Sequence, residues 1–132
     1  MIMPLRDREG FTLVEVMIAV FVLTVALLGL ISVTVMIIKG NDFSKRTTTA
    51  TTLAKDAIEQ VKKRPYNAVT PGTTTDYRNA DSSVGSSGAY FTRVMTVTDN
   101  TPTTNMKTVQ VVVSWNWGGQ RSVTVRTIIG TS

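Results

Sequence analysis

Two residue types are missing from this chain altogether: it has no cysteine and no histidine. Without thiols there is neither a disulfide scaffold nor a thiolate metal site. Without imidazole the commonest general base and metal ligand is gone. The remaining nucleophiles are hydroxyls, and no Gly-x-Ser-x-Gly arrangement supports one. The expectation is therefore no enzyme, no cofactor and no small-molecule substrate. Charge is missing too, but only locally: from Val16 to Ile38 there is no ionisable side chain. A run of that length spans the ~30 Å hydrocarbon core of a bilayer as a helix.

At the head of that run stands one carboxylate. Glu15 follows Gly10-Phe11-Thr12-Leu13-Val14, and a glutamate inside an anchor helix costs about 2.5–3.5 kcal/mol, less near an interface. Such a residue needs a partner, and no basic residue follows for five turns. Upstream, a cut between Gly10 and Phe11 would place a new α-amino group four residues before Glu15. The ten residues before the cut, Met1 to Gly10, are short and charged, and end in a glycine that a protease can approach closely. A standard secretory signal carries its apolar core before the cleavage site and closes it with an A-x-A-like pattern. Neither holds here, so the apolar segment is expected to stay on the mature chain. An uncleaved single-span anchor is the plain alternative.

Past Lys39-Gly40-Asn41-Asp42, where a bend is possible, helical spacing resumes. Phe43, Ala50, Leu53, Ala54, Ala57, Ile58 and Val61 recur at threes and fours or their multiples. Lys55 and Glu59 form an i,i+4 pair of opposite sign. Pro65 ends the helix. From Phe11 to Arg64 it would run about 80 Å if unbroken, although Thr47–Thr49, Thr51 and Thr52 are weak helix formers. The chain's formal charge of +5 has one basic cluster, Lys62-Lys63-Arg64. It reads either as a weak patch for nucleic acid or headgroups, or as a basic last turn favoured by the helix dipole.

Residues 66–89 read as an irregular connection, rich in Gly, Ser and Thr and carrying the turn Pro71-Gly72. Asp76 and Asp81 there would make a poor calcium cage. About three strands complete the chain: Tyr90–Thr98, Thr108–Trp117 and a return strand carrying Val123, Val125, Thr127 and Ile129, with Gly118-Gly119 as the hairpin. Val109, Val111, Val113, Trp115 and Trp117 alternate onto one face. The two tryptophans are either a ligand-stacking platform or core against the helix. Leu53, Ala57, Ile58 and Val61 offer the matching face, so the fold class expected is α+β, a long N-terminal helix on a small antiparallel sheet.

The segment Gly10-Phe11-Thr12-Leu13-Val14-Glu15, followed by Val16-Met17-Ile18-Ala19-Val20, resembles the class III leader and N-terminal helix of type IV prepilins and type II secretion pseudopilins. The resemblance implies cleavage after Gly10 by a prepilin peptidase, N-methylation of Phe11, and pairing of Glu15 with the terminal amine of Phe11 during filament assembly. It implies a leader at residues 1–10, a transmembrane and assembly helix at 11–38 and a periplasmic globular domain at 39–132. It also implies single-pass anchoring in a bacterial inner membrane before passage to a pilus or pseudopilus. The implied partners are the peptidase, major and minor pilins or pseudopilins, the inner-membrane assembly platform and the lipid bilayer. Major pilins commonly carry a proline about twenty residues after the phenylalanine, whereas here the neighbourhood is Leu30-Ile31-Ser32-Val33. The run from Val14 and the segment Leu53–Val61 look more like PilV-type minor pilins and I-type pseudopilins. A minor pilin that primes or tips a pilus is the leading expectation, with an I-type pseudopilin as its alternative. A DNA-uptake pilin has only the thin basic balance in its favour.

Overall fold

The computed structural model describes residues 10–131; the body of the expected leader, residues 1–9, lies outside the described residues. Internal contacts divide the chain into two units, between Asn41 and Asp42. The helix α1, Leu13–Lys62, contributes to both.

In the first unit nearly every described side chain is exposed. A helix this apolar and this exposed is long enough to cross a bilayer. Its few hydroxyls do not obstruct that, because each bonds back to its own helix: Thr24 Oγ1 donates to the Val20 carbonyl (2.8 Å), Ser32 Oγ to Leu28 (3.2 Å) and Thr34 Oγ1 to Leu30 (2.9 Å). A polar group satisfied in this way avoids the several kcal/mol an orphan would cost in lipid. Helical structure continues through Lys39-Gly40-Asn41-Asp42, where the sequence allowed a bend. The threonines beyond it use the same device. Thr47, Thr49, Thr51 and Thr52 donate to the carbonyls of Phe43, Lys45, Thr47 and Thr48. That satisfies the hydroxyls inside the helix, where β-branching alone predicts a weak stretch.

The second unit is a two-layer α+β arrangement. Ala50, Leu53, Ala54, Ala57, Ile58 and Val61 form the buried stripe of α1, as their spacing predicts. They pack on a four-stranded antiparallel sheet, β1 (Gly72–Arg78), β2 (Phe91–Asp99), β3 (Met106–Asn116) and β4 (Gln120–Gly130), in that spatial order. In β3 alternation is strict: Lys107, Val109, Val111, Val113 and Trp115 are buried while the residues between them are not. Phe91 and Val97 extend the same face on β2. Each such aliphatic or aromatic side chain contributes about 1.5–3 kcal/mol when fully buried.

The sheet has one strand more than expected. Gly72–Arg78, read from sequence as loop, pairs with β2 from Gly72↔Val97 to Arg78↔Phe91. It shows no alternation because it is an edge, with its first four residues exposed. Threonine on consecutive positions suits a strand through its β-branching, independently of hydropathy. The other ends move by a residue or two, and Gly118 and Gly119 take positive φ of 60° and 128° at the expected hairpin.

Two buried cations join helix, loop and sheet. Arg93 donates through Nε to both Asp76 carboxylate oxygens (3.0 and 3.1 Å) and through Nη1 to the Leu53 carbonyl of α1 (3.1 Å). Lys107 donates through Nζ to the carbonyls of Val69 (2.6 Å) and Tyr66 (3.3 Å), and lies over the Tyr66 ring. Neither is visible as a core residue in the sequence. By contrast, Lys55 and Glu59 are not within ion-pair distance; on α1 that role falls to Asp42 and Arg46, at 2.8 Å.

Asp42 is also a pH probe. The Arg46 hydrogen bond above all, then that from Trp117, holds its carboxyl below the usual carboxylate range. A depressed folded-state pKa contributes stability above the ordinary carboxylate value, lost as pH falls through the folded value. Trp117 donates its indole N–H to this same carboxylate (3.0 Å). Acidification below the ordinary aspartate range is therefore expected to change the emission of Trp117, and Asp42→Asn to remove that component of the pH titration. A titration of unchanged midpoint and amplitude in the variant would place the effect on another group.

Candidate functional site

The residues that the sequence singles out lie at the start of α1. Gly10 is exposed, and a Cβ built on it meets nothing within 4 Å, so its peptide is open to an approaching enzyme. Phe11 is 84% exposed. Thr12 then caps the helix. Its side-chain Oγ1 accepts from the Glu15 backbone N–H (3.2 Å), and its carbonyl accepts from the Val16 N–H (3.2 Å).

This cap explains where the helix begins. Thr12-x-x-Glu15 has the spacing of a capping box, in which the residue at the third helical position follows a Ser or Thr cap. Only the threonine half of the box is made among the described residues. The capping signal is local and present in the sequence, as Thr12 three residues before Glu15. Glu15 sits in the first turn, where the positive end of the helix dipole favours a carboxylate by about 0.3–1 kcal/mol. Its side chain is exposed, and among the described residues no cation lies within ion-pair distance of it. Phe11, Glu15, Ala19 and Leu23 stand at intervals of four and line one shallow strip with Val16 and Val20. A terminal amine on Phe11 would share that strip with the carboxylate.

A family profile described as the prokaryotic N-terminal methylation motif matches residues 5–31. The segment is a type IV prepilin-like class III leader with its apolar helix. The match takes in Gly10, Phe11, Glu15 and the apolar run as far as Ile31, and ends before the second unit begins. The prepilin-like segment is continued by a helix long and apolar enough to cross a membrane, with no part of its most apolar stretch buried among the described residues. The second unit has the pilin-like α+β arrangement of helix on antiparallel sheet. Neither the curated proteins nor the solved structures contain a match to the chain.

The other candidate sites fare differently. Asp76 is committed to Arg93, with Arg78 beside it at 3.5 Å. Asp81 accepts from the Ser83 hydroxyl and backbone N–H, which together hold its carboxyl below the usual range. Each carboxylate thus already has a partner, arginine for Asp76 and Ser83 for Asp81. Trp115 is 5% exposed, packed edge-on to Phe91 at 6.0 Å, and so belongs to the core. Trp117 is half-buried against Phe43. Lys62 lies in the last turn of α1, where the dipole favours it, and Lys63 and Arg64 come next, exposed.

Proposed function

We propose that this chain is a minor, low-copy subunit of a type IV pilus, cut between Gly10 and Phe11, methylated at Phe11, and used to prime or tip the filament. The observation that carries the reading is the methylation motif over residues 5–31, laid on a helix whose apolar stretch has no protein partner of its own. A helix so exposed is suited both to lipid and to a bundle of like helices. The small residues Ala19, Ala26, Gly29 and Ser32 let neighbouring backbones approach closely. The absence of proline in Leu30-Ile31-Ser32-Val33 favours a PilV-type minor pilin over a shaft subunit. On this reading the second unit lies in the periplasm, and the chain acts by packing, as a structural subunit.

Processing is tested directly by intact mass spectrometry of the chain from its native membrane. The expected species starts at N-methyl-Phe11; full-length chain alone, with the peptidase present, would end the proposal. Membership is tested by deleting the gene. Loss or altered length of pili, restored by the full chain and not by its second unit alone, is the expected outcome. Normal pili with failed protein secretion would make the chain a pseudopilin instead.

A further inference from the structure

Trp117 is the aromatic residue that the sheet does not absorb. It lies beyond the last ladder pair of the hairpin, Asn116↔Gln120. Its ring packs 5.4 Å from that of Phe43, and its indole N–H is spent on Asp42. These two contacts fix the tip of the β3–β4 hairpin to the first two residues of the second unit. Phe43 itself is 38% exposed, Trp117 is half-buried, and Gly118, Gly119 and Gln120 are exposed.

The position of Phe43 in the chain gives this pair its meaning. It stands five residues after Ile38, the last residue of the apolar run, and residues 38–43 are helical, a rise of about 7.5 Å. The polar layer outside the hydrocarbon core is about 5–8 Å deep on each side. Aromatic rings with an apolar body and a satisfied polar edge concentrate at that depth. The surrounding charge has the sign an anionic surface attracts. Lys45 is exposed two residues past Phe43, and Arg121 is exposed just past the turn. Asp42 is already held by Arg46 and Trp117.

We propose that Phe43, Trp117 and the hairpin tip form a contact with anionic phospholipid headgroups, with Lys45 and Arg121 supplying the cations that meet the phosphates. The contact rests on the apolar helix lying in a bilayer. It goes beyond subunit identity, because it gives the globular part a lipid-facing edge that the chain must give up on leaving the membrane.

The test uses the full chain in lipid nanodiscs containing phosphatidylglycerol, with and without phosphatidylcholine brominated near the ester end of its chains. Bromolipid is expected to remove most of the emission that Trp117→Phe abolishes. It should leave the residual emission of that variant, which reports the buried Trp115, nearly unchanged. Trp115→Phe, leaving Trp117 as sole reporter, should be strongly quenched, and less so when the discs carry no anionic lipid. If the chain co-elutes with the discs and Trp117 is no better quenched than Trp115, the contact is overturned while the anchor stands. Failure to co-elute overturns the anchor and the contact together. Shielding of Trp117 from aqueous quencher only when other pilin-like subunits are added would give the surface to a protein neighbour and overturn the lipid assignment.

Discussion

Glu15→Ala is expected to insert and to be cleaved normally, and to be almost absent from filaments in a strain lacking the native copy. Removing the carboxylate makes insertion easier, by up to about 2.5–3.5 kcal/mol if the side chain lies deep in the bilayer. The helix start survives, because Thr12 is capped onto the backbone N–H of residue 15 and that bond does not need the side chain. The loss falls on the partner for a terminal amine in a desolvated bundle. Removing one member of a buried ion pair costs about 3–5 kcal/mol, roughly a hundredfold or more in an assembly equilibrium. The loss of a favourable charge at the helix N-terminus, about 0.3–1 kcal/mol, is too small to give that effect. Glu15→Gln separates charge from size, since it keeps the side-chain length and one acceptor oxygen and loses the charge. Immunoblots of sheared filaments against membrane fractions read the partition. Wild-type incorporation of either variant would remove the charge pair from the mechanism.

The range of each interaction decides whether the sequence displays it. The buried stripe from Ala50 to Val61 and the alternation from Val109 to Trp115 are periodic within single elements, so both are legible. The methylation motif is local and contiguous, and Gly10 to Glu15 carry it without help from the fold. β1 escapes because an edge strand with its first four residues exposed leaves no hydropathy signal. The roles of Arg93 and Lys107 are invisible for another reason. Arg93 reaches Asp76 and Leu53 across 17 and 40 positions, and Lys107 reaches Val69 across 38; a buried cation looks like any surface cation until its acceptors are known. The latch of Trp117 on Asp42 spans 75 positions. It holds Trp117 at a half-exposed edge, while burial against Phe91 gives Trp115 to the core.

That division sets the second large effect, on stability. A fragment starting near Asn41 is expected to be a soluble, folded monomer, because the helix stripe and sheet face from Ala50 to Trp115 close on each other. In it Trp115→Ala should cost about 3–5 kcal/mol, the range for deleting a large buried ring. A domain of this size has roughly 5–13 kcal/mol in all, so the variant should be marginal or unfolded at room temperature. Trp115→Phe should be much milder. It keeps an edge-to-face partner for Phe91, and it removes a buried indole N–H that has no hydrogen-bond acceptor among the described residues. Such an orphan carries a desolvation penalty of about 1–3 kcal/mol, so its removal offsets part of the lost ring volume. Trp117→Ala should fall between the two. It loses a half-exposed ring and one hydrogen bond to a charged acceptor, about 1.5–3 kcal/mol for the bond. Urea melts followed by circular dichroism would rank the three. A Trp115→Ala fragment that melts like its parent would mean that this ring does not hold the sheet to the helix, and the tryptophans would have to be reconsidered as a surface for something else.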